Sequence, residues 1–156
     1  MKSKLVEAYM QTAQVFANCS TAKRLKVGAI IVDPDTGAII SVGYNGTLPG
    51  SSNQCEELID KPAFKVHPDD EHIYFKYRTR DDVLHAEENA IAKLARSPSS
   101  ADGAWMFLTH SPCIKCARLV VASGISRVFY KEQFEGRLGC GLELLHAHDV
   151  NTFQVK

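Results

Sequence analysis

The sequence has no apolar run long enough to cross a bilayer; the longest, Gly28 to Val32 with its flanks, is strand-sized. It has no excess of either charge, with Lys plus Arg at 18 and Asp plus Glu at 18. A polynucleotide binder that works by counterion release usually carries a basic surplus, so no polynucleotide partner is expected. A small anion is a different matter, because two or three cations suffice for one phosphate. There is no internal repeat, no low-complexity tract and no linker between domains. The opening stretch, MKSKLVEAYMQTAQ, turns polar too soon to read as a signal peptide. These absences exclude a membrane protein, a disordered tail and a small disulfide-rich secreted module.

What is present reads as one globular domain over 1–156. Hydrophobic residues make up 45% and charged residues 23% of the chain, ordinary values for a length that buries a full core. The five cysteines are Cys19, Cys55, Cys113, Cys116 and Cys140. Their odd number points to a reducing cytoplasm, where thiols serve as metal ligands, nucleophiles or small core residues. The histidines are His67, His72, His85, His110, His146 and His148.

Residues 4–18 carry Leu5, Ala8, Tyr9, Thr12, Ala13 and Phe16 at helical spacing. Two β-rich runs, 26–32 and 38–44, flank the turn Asp33-Pro34-Asp35-Thr36-Gly37 and predict an antiparallel hairpin. From 45 to about 80 the pattern is lost, which predicts a long loop, functional or tied down. Helices are predicted over 85–95, 113–123 and 138–146, and strands over 105–109, 125–130 and 150–155. Ser111 is the expected cap and Pro112 the expected first residue of the second of these helices, and Gly124 its stop. Strands separated by helices imply right-handed crossovers and parallel pairing. The predicted fold is α/β: a three-layer α/β/α sandwich around a five-stranded mixed sheet.

Two segments carry chemistry: His85-Ala86-Glu87 and Pro112-Cys113-Ile114-Lys115-Cys116, each at a helix start. Cysteines three apart share a helix face, and a helix N-terminus favours the thiolate. Cys113, Cys116 and His85 make a three-ligand zinc set with an open fourth corner, the catalytic pattern, in which zinc lowers the pKa of its water to about 7. Glu87, near the same end, suits a proton shuttle. Alone, C-x-x-C equally fits a redox pair, half of a structural zinc site or two buried thiols, and H-x-E alone says little. Together, H-x-E and P-C-x-x-C form the zinc deaminase signature, in which the glutamate is not a ligand.

With HAEENAI (85–91), THSPCIKCA (109–117), KVGAIIV (26–32) and GYNG (43–46), the chain resembles the deoxycytidylate (dCMP) deaminase family of the cytidine deaminase-like fold, from Leu5 to about Val155. The zinc motif marks the superfamily; the hairpin with HAEENAI points to the deoxycytidylate branch. The resemblance implies zinc-dependent hydrolysis of dCMP to dUMP and ammonia. It implies His85, Cys113 and Cys116 as zinc ligands, Glu87 as proton shuttle and Asn45 as a contact to the pyrimidine nucleoside. Alongside it, the Ala86 N–H at a helix start suits the pyrimidine carbonyl, Arg24 and Lys26 are the cations nearest the hairpin for the phosphate, and Tyr130 either lines the pocket or packs.

Some members of this family, phage ones among them, bind a second, structural zinc. The resemblance extends that site to Cys19, Cys55, His67 and His72, a clip that would order the long loop over 45–80. Members are often hexamers, so a homo-oligomer is expected. Some are regulated by dCTP and dTTP. Here Gly46-Thr47-Leu48-Pro49-Gly50 places its proline one residue later than the family's usual G-x-P-x-G, which leaves regulation open. Two other classes stay open at this point. One is a deaminase of another cytosine compound or of tRNA adenosine; the other is a non-enzymatic zinc module.

Overall fold

The computed structural model describes residues 3–58, 77–134 and 140–156. Helix α1 (Ser3–Ala17) buries a stripe of Tyr9, Met10, Ala13 and Ala17, the spacing its sequence shows. Strands β1 (Gly28–Val32) and β2 (Ile39–Tyr44) form the expected hairpin, antiparallel with Gly28 opposite Tyr44. The Asp33 carboxylate folds the turn by accepting the Asp35 N–H at 2.9 Å and the Thr36 hydroxyl at 2.7 Å.

Between the hairpin and the next helix the chain is more regular than the sequence suggests. β3 (Gly46–Thr47) pairs with β6 (Val83–Leu84), and β4 (Glu56–Leu58) pairs with β5 (Tyr77–Thr79), both antiparallel. Pieces of two and three residues are too short to show a period. Then follow α2 (Ala86–Leu94), β7 (Trp105–His110), α3 (Ile114–Ala122), β8 (Arg127–Glu132), α4 (Leu142–Ala147) and β9 (Asn151–Gln154). The last helix is shorter than expected: it starts at Leu142, after Gly141 as its cap.

The main sheet has the order β2-β1-β7-β8-β9. β1 is antiparallel to both neighbours, and β7, β8 and β9 are parallel, the pairing the crossovers dictate. Alternate residues divide between two cores. Ile30, Val32, Phe107 and Phe129 face α1, and Ala29, Ile31, Met106, Leu108 and Val128 face the side of α2 and α3. The layers are therefore α/β/α around a five-stranded mixed sheet.

Two glycines set how closely the helices approach. A Cβ on Gly28 would run into the Ala13 carbonyl oxygen of α1; one on Gly43 would run into the Ala86 carbonyl oxygen and lie 2.6 Å from the Ala90 nitrogen of α2. The glycines of KVGAIIV and GYNG thus seat one helix on each face of the hairpin.

Candidate active site

The site is built from two helix starts that meet. His85 is the N-cap of α2 and Cys113 the N-cap of α3, both in extended backbone. This corrects the sequence expectation for α3: Ser111 and Pro112 lie before the cap instead of serving as cap and first helical residue. The Ser111 hydroxyl accepts the Phe134 N–H at 2.9 Å instead. Helix α2 is set by Glu88, whose carboxylate accepts the His85 N–H at 2.7 Å. Sequence reasoning missed Glu88. An acid three residues after the cap was the available signal. Asn89 then pins α2 to β2 by donating to the Tyr44 carbonyl at 2.8 Å.

These supports bring His85 Nδ1 to 3.3 Å from the Cys116 Sγ and 3.7 Å from the Cys113 Sγ. The three possible ligand atoms lie within 4.8 Å of one another. Cys116 and Cys113 are buried and His85 is partly so. Two sulfurs and one imidazole are a soft donor set that suits zinc.

The electrostatics show the crowding. A hydrogen bond from Cys116 holds the Cys113 thiol down at about 4, helped by His85. That same hydrogen bond and burial push the Cys116 thiol well above its usual range. The contact with Cys113 raises His85 to about 8 against burial. A divalent cation that binds these three donors displaces their protons.

Glu87 stands next to this cluster and is 4% exposed. Burial pushes its carboxyl up to about 7, while backbone hydrogen bonding and the His85 charge pull it back. A buried carboxyl in this range takes and returns protons near neutral pH.

Residues 3–132 match the family model of the cytidine and deoxycytidylate deaminase zinc-binding region. The chain belongs to this family. Zinc is accordingly its metal, and the stretch that matches contains His85, Cys113 and Cys116. The chain is 29% identical over 171 residues to the deoxycytidylate deaminase of Enterobacteria phage T4, covering 94% of this chain and 87% of that one. It is 32% identical over 129 residues to the deoxycytidylate deaminase of Mycobacterium phage D29, covering 81% and 94%. The dCMP deaminase of cyanophage S-TIM5, solved in complex with dCMP and dUMP, superposes with a TM-score of 0.80 at 36% identity, covering 99% of both chains.

The other expected residues lie around this cluster and along the hairpin. Ala86 is the first residue of α2, and its N–H has no intrahelical acceptor by helix geometry. Asn45 is half-buried, and its side chain hydrogen-bonds the backbone of Leu25 and Val27. Arg24 and Lys26 are exposed beside the hairpin start, and the Arg24 guanidinium donates to the Tyr77 carbonyl at 3.3 Å. Tyr130 packs in the core with Leu108 and Val128. Of the expected second zinc set, Cys19 is exposed, with its Sγ 3.8 Å from the Val15 carbonyl oxygen, and Cys55 is buried, with its Sγ 3.4 Å from the Thr21 hydroxyl. His67 and His72 lie outside the described residues.

Proposed function

We propose that the chain hydrolyses dCMP to dUMP and ammonia, with His85, Cys113 and Cys116 holding the zinc and Glu87 moving the proton. The observation that carries this reading is the buried Glu87 carboxyl beside three convergent soft donors. The likeness over 99% of both chains to a deaminase solved with dCMP and dUMP supports the substrate. Zinc in a three-ligand site supplies a water of pKa about 7. Glu87 takes a proton at its carboxylate and delivers it to the ring nitrogen N3 of the pyrimidine. The water oxygen bonds to C4 as N3 is protonated; Glu87 then carries the proton of the new C4 hydroxyl to the amino group, the C4–N bond breaks, ammonia leaves and a carbonyl remains at C4. Burial keeps the Glu87 carboxyl near the pH at which it both accepts and donates.

In this reading the Ala86 N–H, at the positive end of α2, donates to the pyrimidine carbonyl. Arg24 and Lys26 are the cations for the 5′-phosphate. Tyr130 backs the pocket from the core. Cys19 and Cys55, with His67 and His72, are the proposed ligands of a second, structural zinc. A homo-oligomer fits the exposed apolar side chains Val15, Leu58 and Phe153. A cytoplasmic setting fits five cysteines that are all free.

The test is ammonia release from dCMP, CMP, deoxycytidine, cytosine and dCTP. Preference for dCMP supports the reading; preference for deoxycytidine overturns the phosphate assignment. The same assay with added dCTP and dTTP reads regulation, and metal analysis near two zinc per chain supports the second site.

A further inference from the structure

Cys140 is not among the three grouped donors, yet the fold lays it against one of them. Cys113 and Cys140 face each other as an isolated antiparallel bridge between the start of α3 and the residues before α4. The Gly141 N–H donates to the Pro112 carbonyl at 2.8 Å, one position outside the pair on each side. The pair itself is therefore of the non-hydrogen-bonded kind. In such a pair the Cα atoms stand about 4.5 Å apart and the two side chains leave the same face. Disulfides form over Cα separations of about 4.4–6.8 Å, so the backbone already suits one.

Two further contacts hold the pair together. A Cβ on Gly141 would lie 2.5 Å from the Ala117 Cβ and 2.8 Å from the Cys113 carbonyl oxygen. The backbone after Cys140 is thus pressed onto the turn that carries Cys113 and Cys116. The Cys140 Sγ lies 3.8 Å from the Ser111 Oγ, on the run that leads into Cys113. Both cysteines are free thiols; Cys113 is buried and Cys140 half-buried. Cys140 is therefore the sulfur of the two that a small solute reaches first.

We propose that Cys140 and Cys113 are a site of reversible oxidation by a hydroperoxide, and that the disulfide they form takes the metal site apart. The Cys140 sulfur attacks the O–O bond of hydrogen peroxide and becomes a sulfenic acid; its thiol proton goes to the departing hydroxide, which leaves as water. The zinc-held Cys113 thiolate then attacks the Cys140 sulfur. The S–S bond forms, the S–O bond breaks, and hydroxide leaves and takes up a proton to become water. The two sulfurs have lost two electrons and the peroxide has gained them. Cys113 then has no thiolate to offer, since the thiolate is the form that binds metal. His85 and Cys116 alone remain of the three donors, and zinc is released. A dithiol reductant reverses the step. The switch rests on the zinc set of the function proposed above.

The test treats the zinc-loaded protein and its Cys140→Ser variant with hydrogen peroxide. A metal-sensitive dye reads released zinc, and mass spectrometry after blocking of free thiols reads linked peptides. The parent is expected to yield a peptide that joins Cys113 to Cys140, and to release zinc at least about tenfold faster than Cys140→Ser. Dithiothreitol with added zinc is expected to restore both the thiols and the metal. Equal release from the variant overturns the proposal. So does a link from Cys113 to Cys116 instead, or zinc release with no linked peptide. If Cys140→Ser does not fold, the peptide map of the parent decides alone. If the parent holds no zinc before peroxide is added, the metal reading fails by itself, and the linked peptide still decides the thiol pair.

Discussion

The two faces of the sheet are built from opposite materials. On the α1 face Tyr9, Phe107 and Phe129 stack through the core, with ring centroids 4.9 Å and 4.5 Å apart. The one polar group of that stack, the Tyr9 hydroxyl, donates to the Gly37 carbonyl at 2.7 Å. On the other face small residues, Ala29, Ala86, Ala90 and Ala117, lie at the contacts. They let α2 and α3 come close enough for their starts to meet, and there His85, Glu87, Cys113 and Cys116 are buried together or nearly so. Large rings make one face a store of packing energy. Small side chains give the other face room to bring titratable groups into a shared, dry place, where their proton affinities move.

The sharpest way to break this comparison is at Glu87. Glu87→Gln keeps the shape and removes the shuttle, so ammonia release from dCMP should fall by about 10²–10⁴ while zinc per chain stays constant. Equal turnover would sink the mechanism. On the other face, Phe107→Ala should cost about 3–5 kcal/mol of stability. Denaturant unfolding reads that loss, and turnover per folded, zinc-loaded molecule should be unchanged.

The paired glycines sharpen the contrast further. Gly28→Ala and Gly43→Ala each force a helix away from the hairpin, at about 1–3 kcal/mol each. Only Gly43→Ala moves α2 and its His85, so only it should lower kcat; a loss of kcat in both would show that the faces are coupled. The smallest effect concerns the ion pair of Arg80 and Asp82, with Nε–Oδ1 at 2.9 Å. The hydrogen bond from Arg80 lowers the Asp82 carboxyl below its ordinary 3.8. A lowered acid contributes stability above its unfolded pKa and loses it as pH falls through the folded value. Asp82→Asn should therefore narrow the difference between melting temperatures at pH 7 and at pH 3 slightly. A difference that widens would contradict the sign.

Much of this molecule was legible in the chain because its long elements repeat a pattern. The stripe of α1, the hairpin around Asp33–Gly37 and the parallel order of β7, β8 and β9 all follow from periodicity and crossover rules. The short ladders β3–β6 and β4–β5 were not legible, because two or three residues carry no period and pair only when the tertiary fold brings them together. The start of α3 was misread for a related reason. Ser111 and Pro112 have the local chemistry of a cap, yet Ser111 is drawn off to bond Phe134 across the fold, and Cys113 takes the cap instead.

The linear order of residues determined the layers and the chemical types at two helix starts, since hydrophobic period and donor type are properties of local sequence. Only the tertiary structure decided that those starts face each other, that Glu87 is buried beside them, and that the Asn45 amide is spent on the segment bearing Arg24 and Lys26. Each of these depends on contacts between residues 18 to 31 positions apart. Such contacts form only once the sheet fixes where the helices begin.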